Sequence, residues 1–309
     1  MHLIVTGGAG FIGNHLVRHL LSKGHSVEVI DNLHSGRVEN LEDLKDRIIF
    51  HKMDILEYDK LKKIVKNADG VFHEAALTVV QESYEKPEEY HMVNVVGTEN
   101  IFKLAKEFGF KVVYASSSSV YGNPEKIPIK EDSLRKPLNP YGETKFQDEL
   151  LAEKYSQDGV TIIGLRYFNV YGKGQTLSYA GVITKFLDRL KEQKPPIING
   201  DGSQVRDFVY VEDVAEANLL AMEKKIGSCF INVGTGKIIS ILDLANIMIN
   251  AAGMQVKPIH GNPLEGDVKQ SQADTSFARK TLDWKAKMEL QYWLVQILGQ
   301  KDLRSTSKF

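Results

Sequence analysis

The sequence lacks several features that mark other classes of protein. Cys229 is the only cysteine among 309 residues, which excludes a disulfide framework and a zinc site of four cysteines, and we predict no metal site. Neither sign of charge is in excess, since 39 Lys and Arg face 40 Asp and Glu, and we predict no nucleic-acid partner. No apolar run approaches the roughly 20 residues that cross a bilayer. We therefore predict a cytoplasmic protein without a membrane partner.

Short β-rich runs alternate with amphipathic helical patterns through the first half of the chain. The predicted strands are residues 3–6, 26–30, 47–52, 70–73, 111–116 and 161–166. The predicted helices are residues 12–23, 58–65, 94–108 and 138–158. Such alternation is typical of βαβ units and a parallel sheet. The second half is richer in loops, with predicted helices at 182–192 and 211–224 and a strand at 207–209.

A glycine-rich turn lies between the first predicted strand and the first predicted helix. Gly7, Gly10 and Gly13 provide a tight turn, close approach to a pyrophosphate and close helix packing, while the helix N-terminus offers amides to phosphate. Asp31 ends the second strand, where an acid accepts hydrogen bonds from a ribose diol and repels a 2′-phosphate. The pattern favours NAD over NADP. Asp54 has the position to reach the adenine side, with N-capping as an alternative.

A second group of residues indicates chemistry on an alcohol. Tyr141 and Lys145 are spaced i, i+4 at the start of the long helix, so both project from one face, and an ammonium beside a phenol favours the phenolate. The serine run 116–119 ends a buried strand, where ligands bind in open parallel sheets. We predict Ser117, Tyr141 and Lys145 as the catalytic residues. Ser118 is a competitor for the role of Ser117.

These motifs, together with residues 166–169 and 206–211, resemble the extended short-chain dehydrogenase/reductase family, and more narrowly its UDP-glucose or UDP-N-acetylglucosamine 4-epimerases. The resemblance covers nearly the whole chain and weakens after about residue 290. It implies NAD as the cofactor and a UDP-sugar as the substrate. The fingerprint and the resemblance together imply these cofactor contacts: Gly7, Gly10, Phe11, Ile12, Gly13, Asp31, Asn32, Ser35, Gly36, Asp54, Ile55, Ala75, Ala76, Asn94, Tyr141, Lys145 and Tyr167.

The resemblance also indicates which reaction to expect. Dehydratases and decarboxylases of the superfamily carry an acid one or two places after the catalytic Ser or Thr, and this chain has Ser118 and Ser119 there. An epimerase needs no such acid, because it oxidises C4, rotates the 4-keto sugar and returns the hydride. Tyr141 would take the hydroxyl proton and Ser117 would bridge to the oxygen, while Lys145 would hold the nicotinamide ribose. We predict an NAD-dependent UDP-sugar 4-epimerase, an isomerase.

The resemblance implies substrate contacts as well. Arg206 would pair with the diphosphate, although it could instead be a buried structural cation. Ser271 aligns with a position that is bulky in epimerases restricted to unacetylated hexoses, so a small residue would admit a 2-acetamido group; alternatively, it is only a loop residue. Leu264 and Thr78 depart from the family pattern at two phosphate contacts. The implied substrate contacts are Ser117, Ser118, Asn169, Val182, Arg206, Asp267 and Ser271.

The predicted fold is α/β, a Rossmann-type doubly wound parallel sheet with a smaller, interleaved C-terminal α/β substrate domain. Residues 1–170 would form the NAD-binding domain, with a returning segment at about 205–235. Residues 171–204 and 236–309 would form the nucleotide-sugar domain. The family resemblance implies a homodimer paired through the helices at 94–108 and 141–155. The alternatives are a different nucleotide-sugar epimerase, a dehydratase, a net oxidoreductase and a non-catalytic NAD-binding module.

Overall fold

The protein is described from a computed structural model, which covers residues 1–175 and 181–299. The strands of this part of the chain are β1 (His2–Thr6), β2 (Ser26–Asp31), β3 (Ile48–Lys52), β4 (Gly70–His73), β5 (Lys111–Ser117), β6 (Ile162–Tyr167), β7 (Asn169–Tyr171), β8 (Ile197–Asn199), β9 (Val205–Arg206), β10 (Phe208–Tyr210), β11 (Cys229–Val233), β12 (Ile239–Ser240) and β13 (Ile259–Gly261).

The helices of the same ranges follow in chain order. They are α1 (Phe11–Ser22), α2 (Tyr58–Val65), α3 (Val80–Glu85), α4 (Pro87–Tyr90), α5 (Gly97–Phe108), α6 (Pro140–Gln157), α7 (Val182–Lys191), α8 (Val211–Glu223), α9 (Ile241–Ala251), α10 (Ser276–Leu282) and α11 (Leu290–Leu298). A π-helical turn at His91–Val96 joins α4 to α5, and 3₁₀ turns form at Val38–Leu44 and Ser118–Tyr121.

Seven parallel strands form the central sheet, in the order β11-β6-β5-β4-β1-β2-β3. The chain winds outward from β1 to β3 and then crosses to β4 on the other side of β1, so the winding direction reverses between β1 and β4. In doubly wound sheets a ligand crevice opens at this switch point, outside the carboxyl ends of the strands. The predicted Rossmann-type α/β fold is confirmed.

Apolar cores cover both faces of the sheet. One core contains Leu16 of α1 and Ala217 of α8, and the other contains Leu61 of α2 and Leu104 of α5. Parallel strands buried on both faces read as continuous apolar runs, which is why β1 and β5 carry so few polar residues. A separate core joins α7, α9 and α11 around Trp293. The carboxyl ends of the strands are therefore held in place by packing on both faces of the sheet.

The predicted strands and helices agree with the observed ones to within one or two residues, with one exception. Helix 94–108 was expected to begin at Asn94, but the chain is already helical from Pro87, and the π-helical turn lies where the predicted helix starts. Several observed elements were not predicted, among them α9, α11 and the strand Cys229–Val233, which pairs with β6 at the edge of the sheet. The division into two domains stays a prediction.

No helix in the described part of the chain is long and apolar enough to cross a membrane. The longest helix, α6, instead carries buried polar residues such as Asp148 and Glu149. Its start is fixed locally. Asn139 caps it by accepting a hydrogen bond from the Gly142 amide at 2.8 Å, and Pro140 takes the first helical position.

Candidate active site

A cavity of about 720 Å³ lies over the carboxyl ends of the central strands. Its walls include the glycine turn, the ends of β2 and β4, the serine run after β5 and the first turns of α6. Residues 264–268 and Arg206 close it from the other side. The cavity therefore occupies the switch point of the sheet, where a dinucleotide binds in this type of fold.

The glycine turn needs the absence of side chains. Gly7 has a φ of +69°, and a Cβ there would lie 2.7 Å from the amide nitrogen of Ala75. A Cβ on Gly13 would lie 2.1 Å from the carbonyl oxygen of Gly7. Helix α1 begins directly after Gly10, has no acidic residue in its first turn, and presents Phe11 and Ile12 to the cavity. This turn fits a pyrophosphate group held by helix amides.

Asp31 lies at the end of β2 beside this turn. Its carboxylate accepts hydrogen bonds from the amides of Ala9 at 3.0 Å and Leu33 at 2.8 Å. Burial raises the pKa of Asp31, and the two amide hydrogen bonds oppose that shift. The carboxylate is therefore held in a fixed orientation at the cavity wall, as ribose recognition requires.

Most of the predicted cofactor contacts line the cavity. The residues found in its wall are Gly7, Gly10, Phe11, Ile12, Gly13, Asp31, Asn32, Ser35, Asp54, Ile55, Ala75, Ala76, Tyr141, Lys145 and Tyr167. Asp54 does not cap α2 directly; its carboxylate accepts hydrogen bonds from Asn32 and from the Leu56 amide.

Gly36 and Asn94 are the two predicted cofactor contacts that lie outside the wall. Gly36 packs behind Asp31, where a Cβ would lie 2.9 Å from the carboxylate. Asn94 is fully buried, and its amide group bonds with the backbone of Leu77 and the hydroxyl of Thr144. The π-helical turn places Asn94 against α6, so its position joins two wall elements rather than facing the cavity.

Tyr141 and Lys145 both line the cavity from the first turns of α6. Lys145 is 3% exposed and its Nζ donates to Asp148 Oδ2 at 3.2 Å. Burial alone would lower the pKa of Lys145, but the charges of Asp148, Tyr141 and Glu74 outweigh that effect and raise it. Lys145 is therefore a fixed cation in the wall.

Ser117 lies in the cavity wall at the end of β5. Its Oγ accepts hydrogen bonds from the Ser119 amide at 3.1 Å and from the Ser119 hydroxyl at 2.8 Å. Because a hydroxyl carries one hydrogen besides its acceptor positions, Ser117 keeps its own hydrogen for a ligand oxygen. Ser118 lines the cavity too.

A buried ion pair fixes the serine run against α6. Arg166 of β6 donates to both carboxylate oxygens of Glu149, at 2.7 and 2.8 Å, and to the hydroxyl of Tyr121 at 2.6 Å. Ser116 donates to the same Glu149 at 2.7 Å. Removing one partner of such a buried ion pair strongly destabilises the folded protein, because the other charge is left buried without a partner. Sequence analysis did not single out Glu149, because a glutamate inside a helix normally faces solvent.

Two further residues of the site were not predicted as site residues. Glu74 lines the cavity, and its Oε1 accepts a hydrogen bond from the Tyr167 hydroxyl at 2.9 Å. His73 lies 2.7 Å from the Thr6 hydroxyl and 2.9 Å from the Thr98 hydroxyl. Burial, with a smaller contribution from the charge of Lys145, lowers the pKa of His73 to about 3. His73 is thus a neutral bridge between β1 and α5.

The other side of the cavity carries the predicted substrate contacts. Arg206 donates to the Asp267 carboxylate at 2.5 Å, across 61 residues of chain. Burial lowers the pKa of Arg206, and the charge of Asp267 opposes that shift. The remaining predicted contacts in the wall are Ser117, Ser118, Asn169, Val182 and Ser271.

Asp207 anchors this side and was also not predicted as a site residue. It is fully buried and accepts hydrogen bonds from the backbone amides of Thr235, Gly236 and Ala273 and from the Thr235 hydroxyl. The segment that carries Arg206 is thereby fixed to the chain that follows Ser271. An acid next to an arginine is a weak signal by itself, so this role of Asp207 could not be predicted from the sequence.

The fold and the cavity together define a Rossmann-type nucleotide-binding enzyme with a tyrosine and a lysine in the cavity wall. Residues 3–234 match the sequence model of the NAD dependent epimerase/dehydratase family, so the chain belongs to that family. The family depends on NAD, and the glycine turn and Asp31 fit that cofactor.

Solved structures and curated proteins show the same relationship. A UDP-glucose 4-epimerase of Thermotoga maritima, solved with UDP-glucose, shares 35% identity over 97% of this chain and 98% of its own, with a TM-score of 0.92. A UDP-N-acetylglucosamine 4-epimerase of Methanobrevibacter ruminantium, solved with UDP-N-acetylmuramic acid, shares 35% identity over 96% of this chain and 97% of its own, with a TM-score of 0.90. A UDP-N-acetyl-alpha-D-glucosaminuronate decarboxylase of Bacillus cytotoxicus shares 35% over 83% and 82%.

Proposed function

We propose that the protein is an isomerase that interconverts UDP-hexoses at C4, using NAD and a transient 4-keto sugar. The observation that carries this proposal is the position of Ser117, Tyr141 and Lys145 on one wall of the cavity, with no carboxylate in the serine run 116–119. Similarity to two 4-epimerases over nearly the whole chain supports it.

Each residue has a distinct role in this chemistry. Tyr141, whose charge acts on that of Lys145, takes the proton of the 4-hydroxyl group. Ser117 donates its free hydrogen to the same oxygen. When bound, NAD supplies the hydride acceptor that oxidises C4 and the donor that reduces it again. Lys145 remains charged through both steps because Asp148 is beside it.

The diphosphate of the substrate would bind at Arg206. In the structure Arg206 is paired with Asp267, whose side chain is 35% exposed. A doubly charged diphosphate is a stronger partner for a guanidinium than one partly solvated carboxylate, so substrate entry would transfer Arg206 to the phosphates. Asp267 would then be free to accept a hydrogen bond from the uridine ribose. Asn169 would contact the sugar or phosphate from the start of β7.

We further propose that UDP-GlcNAc and UDP-GalNAc are substrates, with UDP-Glc and UDP-Gal also accepted. Ser271 is 6% exposed and lies in the cavity wall, fixed by a hydrogen bond from its amide to the Val205 carbonyl at 3.2 Å. Its small side chain leaves space that a 2-acetamido group needs. A tyrosine at this position would fill that space.

The first experiment incubates purified protein with UDP-glucose or UDP-N-acetylglucosamine, without added NAD, and separates the products by anion-exchange chromatography. Formation of the matching galacto epimer supports 4-epimerisation. Continuing NADH production, seen only when NAD is added, would instead indicate a net oxidoreductase. Loss of carbon dioxide from a UDP-uronate would indicate a decarboxylase such as the Bacillus relative.

The variant Ser271→Tyr tests the substrate range. We expect it to lower turnover of the N-acetylated substrates by about tenfold relative to UDP-glucose. Ser276→Tyr is a matched control, since Ser276 is an exposed serine at the start of α10. Equal loss on both substrates, or no loss on either, would remove Ser271 from the sugar pocket.

We also propose a homodimer paired through the helices at 94–108 and 141–155. Leu150, on the second of these helices, is an apolar side chain that is 45% exposed, so a partner can reach it. Light scattering should give twice the mass of the chain. The variant Leu150→Lys should shift the mass toward the monomer, whereas Val295→Lys, at an exposed position on α11, should not.

A further inference from the structure

Glu74 is a half-buried acid in the cavity wall that the epimerase chemistry above does not use. It follows β4 directly, and its backbone amide donates to the Thr6 carbonyl at 3.1 Å, which fixes it at the switch point. It lines the same cavity as Tyr141 and Lys145. Asp31 and Asp54 lie at the other end, over β2 and β3, so the nicotinamide half of a bound NAD would lie toward Glu74.

The two oxygens of this carboxyl group have different surroundings. Oε1 accepts from the Tyr167 hydroxyl, which itself accepts from Asn218 Nδ2 at 2.7 Å. Oε2 is shielded from solvent and has no hydrogen-bond partner within residues 1–175 and 181–299. A buried carboxylate oxygen without a partner is costly unless a positive charge lies near it.

Two side chains from different elements act on Glu74, namely Tyr167 of β6 and Lys145 of α6. Asn218 of α8 donates to the Tyr167 hydroxyl. Burial raises the pKa of Glu74 to about 7, while the Tyr167 hydrogen bond and the charge of Lys145 act in the opposite direction. Lys145 already has Asp148 as a partner at 3.2 Å. Its charge is therefore shared, and Glu74 is not its main counterion.

We propose that Glu74 selects the oxidation state of the cofactor: its carboxylate favours the cationic, oxidised nicotinamide over the neutral, reduced one. A fixed negative charge in a low-dielectric cavity stabilises a cation that binds beside it and does nothing for a neutral ring. In an enzyme that must return to the oxidised cofactor after every turnover, this preference opposes accumulation of the reduced form. Glu74 is thus a positioning charge, distinct from the proton transfer assigned to Tyr141.

The preference has a defined pH dependence. Above pH 7 Glu74 is mainly a carboxylate and favours oxidised cofactor; as the pH falls through about 7 it gains a proton and the preference weakens. Burial also raises the pKa of Asp148 to about 7, so that residue titrates in the same range. His73, with a pKa of about 3, stays neutral throughout. The contribution of Glu74 is therefore read as the difference between wild type and a Glu74 variant.

The experiment incubates the cofactor-loaded protein with an excess of equal amounts of NAD⁺ and NADH until its composition is constant. Free nucleotide is removed on a desalting column, and the bound NADH/NAD⁺ ratio is measured after denaturation. At about pH 8.5 we expect Glu74→Gln to raise this ratio roughly tenfold over wild type, a shift of about 30 mV for a two-electron couple. At about pH 6 the two proteins should differ less than threefold, because a protonated carboxyl group and an amide are both neutral.

Two variants serve as controls for this result. Glu107→Gln removes an exposed carboxylate that pairs with Lys62, and it should leave the bound ratio unchanged. Tyr167→Phe keeps the Glu74 carboxyl group but removes its hydrogen bond, so the pKa of Glu74 should rise and the change in ratio should move to higher pH. This second variant tests the proposal even if Glu74→Gln does not fold.

An unchanged ratio in Glu74→Gln at about pH 8.5 would overturn the proposal, as would a change of equal size at both pH values. Equal loss of affinity for both nucleotides would also overturn it, because it would make Glu74 a structural counterion of Lys145. The inference rests on the proposed NAD site but not on the sugar. A protein that retains neither nucleotide would contradict the NAD site itself. The bound NADH/NAD⁺ ratio and the formation of an epimer are separate measurements, so either can fail without the other.

Discussion

The two sides of the cavity are built differently. The sheet side consists of the glycine turn Gly7–Gly13, the ends of β2, β4, β5 and β6, and the first turns of α6. The loop side consists of β9 and residues 264–271. On the sheet side polar groups are buried and held by seven paired strands. On the loop side β9 has two residues, and Leu264, Glu265 and Asp267 are exposed.

This difference separates two kinds of residue. Polar groups on the sheet side hold the fold together, and we propose that they also bind the cofactor, so their loss should reduce both stability and function. On the loop side Arg206 and Asp267 pair with each other, and we propose that they bind the substrate, so their loss should reduce function alone. The hydrogen-bonded series Thr6, His73, Thr98, Asp148 and Lys145 is an example on the sheet side, since it links β1 through α5 to α6.

Tyr141→Phe should have the largest effect and should break the rule for the sheet side. Removing the phenolic oxygen removes the proton acceptor, and we expect kcat for epimerisation to fall about 1,000-fold. The backbone amide of Tyr141 keeps its hydrogen bond to Ser83, so the melting temperature and the bound NAD should be unchanged. Tyr292→Phe, at a position 60% exposed on α11, is the control. Retained activity in Tyr141→Phe would exclude Tyr141 as the base.

Gly13→Ala should confirm the rule most directly. The new Cβ would lie 2.1 Å from the Gly7 carbonyl oxygen, which is backbone and cannot move aside. We expect the free energy of unfolding to fall by about 3 kcal/mol and bound NAD to be lost. The measurement is urea unfolding with the NAD content of the purified protein.

Gly227→Ala is the matched control for this change. A Cβ at this position would have no atom of the described residues within 4 Å apart from its neighbours in the chain, and the backbone is not left-handed. Its unfolding free energy should change by less than about 0.5 kcal/mol. Equal stability of the two alanine variants would contradict the role given to the glycine turn.

Arg206→Gln tests the loop side. Losing one guanidinium contact to a diphosphate should raise KM for the UDP-sugar roughly 30-fold, which corresponds to about 2 kcal/mol. NAD retention and stability should change little. Arg279→Gln, an exposed arginine on α10, should leave KM unchanged. A loss of several kcal/mol of stability with an unchanged KM would instead make Arg206 a buried structural cation.

At neutral pH His73 should give the smallest effect, because its contribution is a pH dependence that begins only below about pH 6.5. Its pKa of about 3 in the fold lies below the ordinary value of 6.5, so the unfolded chain binds a proton that the folded one does not. The unfolding free energy should therefore fall as the pH drops below 6.5, by up to about 1.4 kcal/mol per pH unit from this residue.

The variant His73→Asn should show a shallower fall over the same pH range, measured by urea unfolding. His260→Asn is the control, since His260 is exposed on β13. If the slope of His73→Asn matched that of wild type, His73 would have to be protonated in the folded protein.

Much of the sheet side was predictable from the sequence alone. The glycine turn is dictated by backbone geometry over seven residues, and the Tyr141 and Lys145 pair by the period of a helix. The β1 to β6 strands were predictable because buried parallel strands are continuous apolar runs. These signals act over a few residues, so they are visible in the linear chain.

Only the tertiary structure decided the remaining contacts. Glu74 meets Tyr167 across 93 residues, Arg206 meets Asp267 across 61, and the buried carboxylate of Glu149 accepts from Arg166 on a different element. The resemblance implied that Asn94 contacts the cofactor. In the structure its side-chain amide forms hydrogen bonds with the Leu77 backbone and the Thr144 hydroxyl. Local periodicity carries no information on which distant polar groups share a buried space. That pairing is determined by how the layers pack, because each buried polar group must find its partner there.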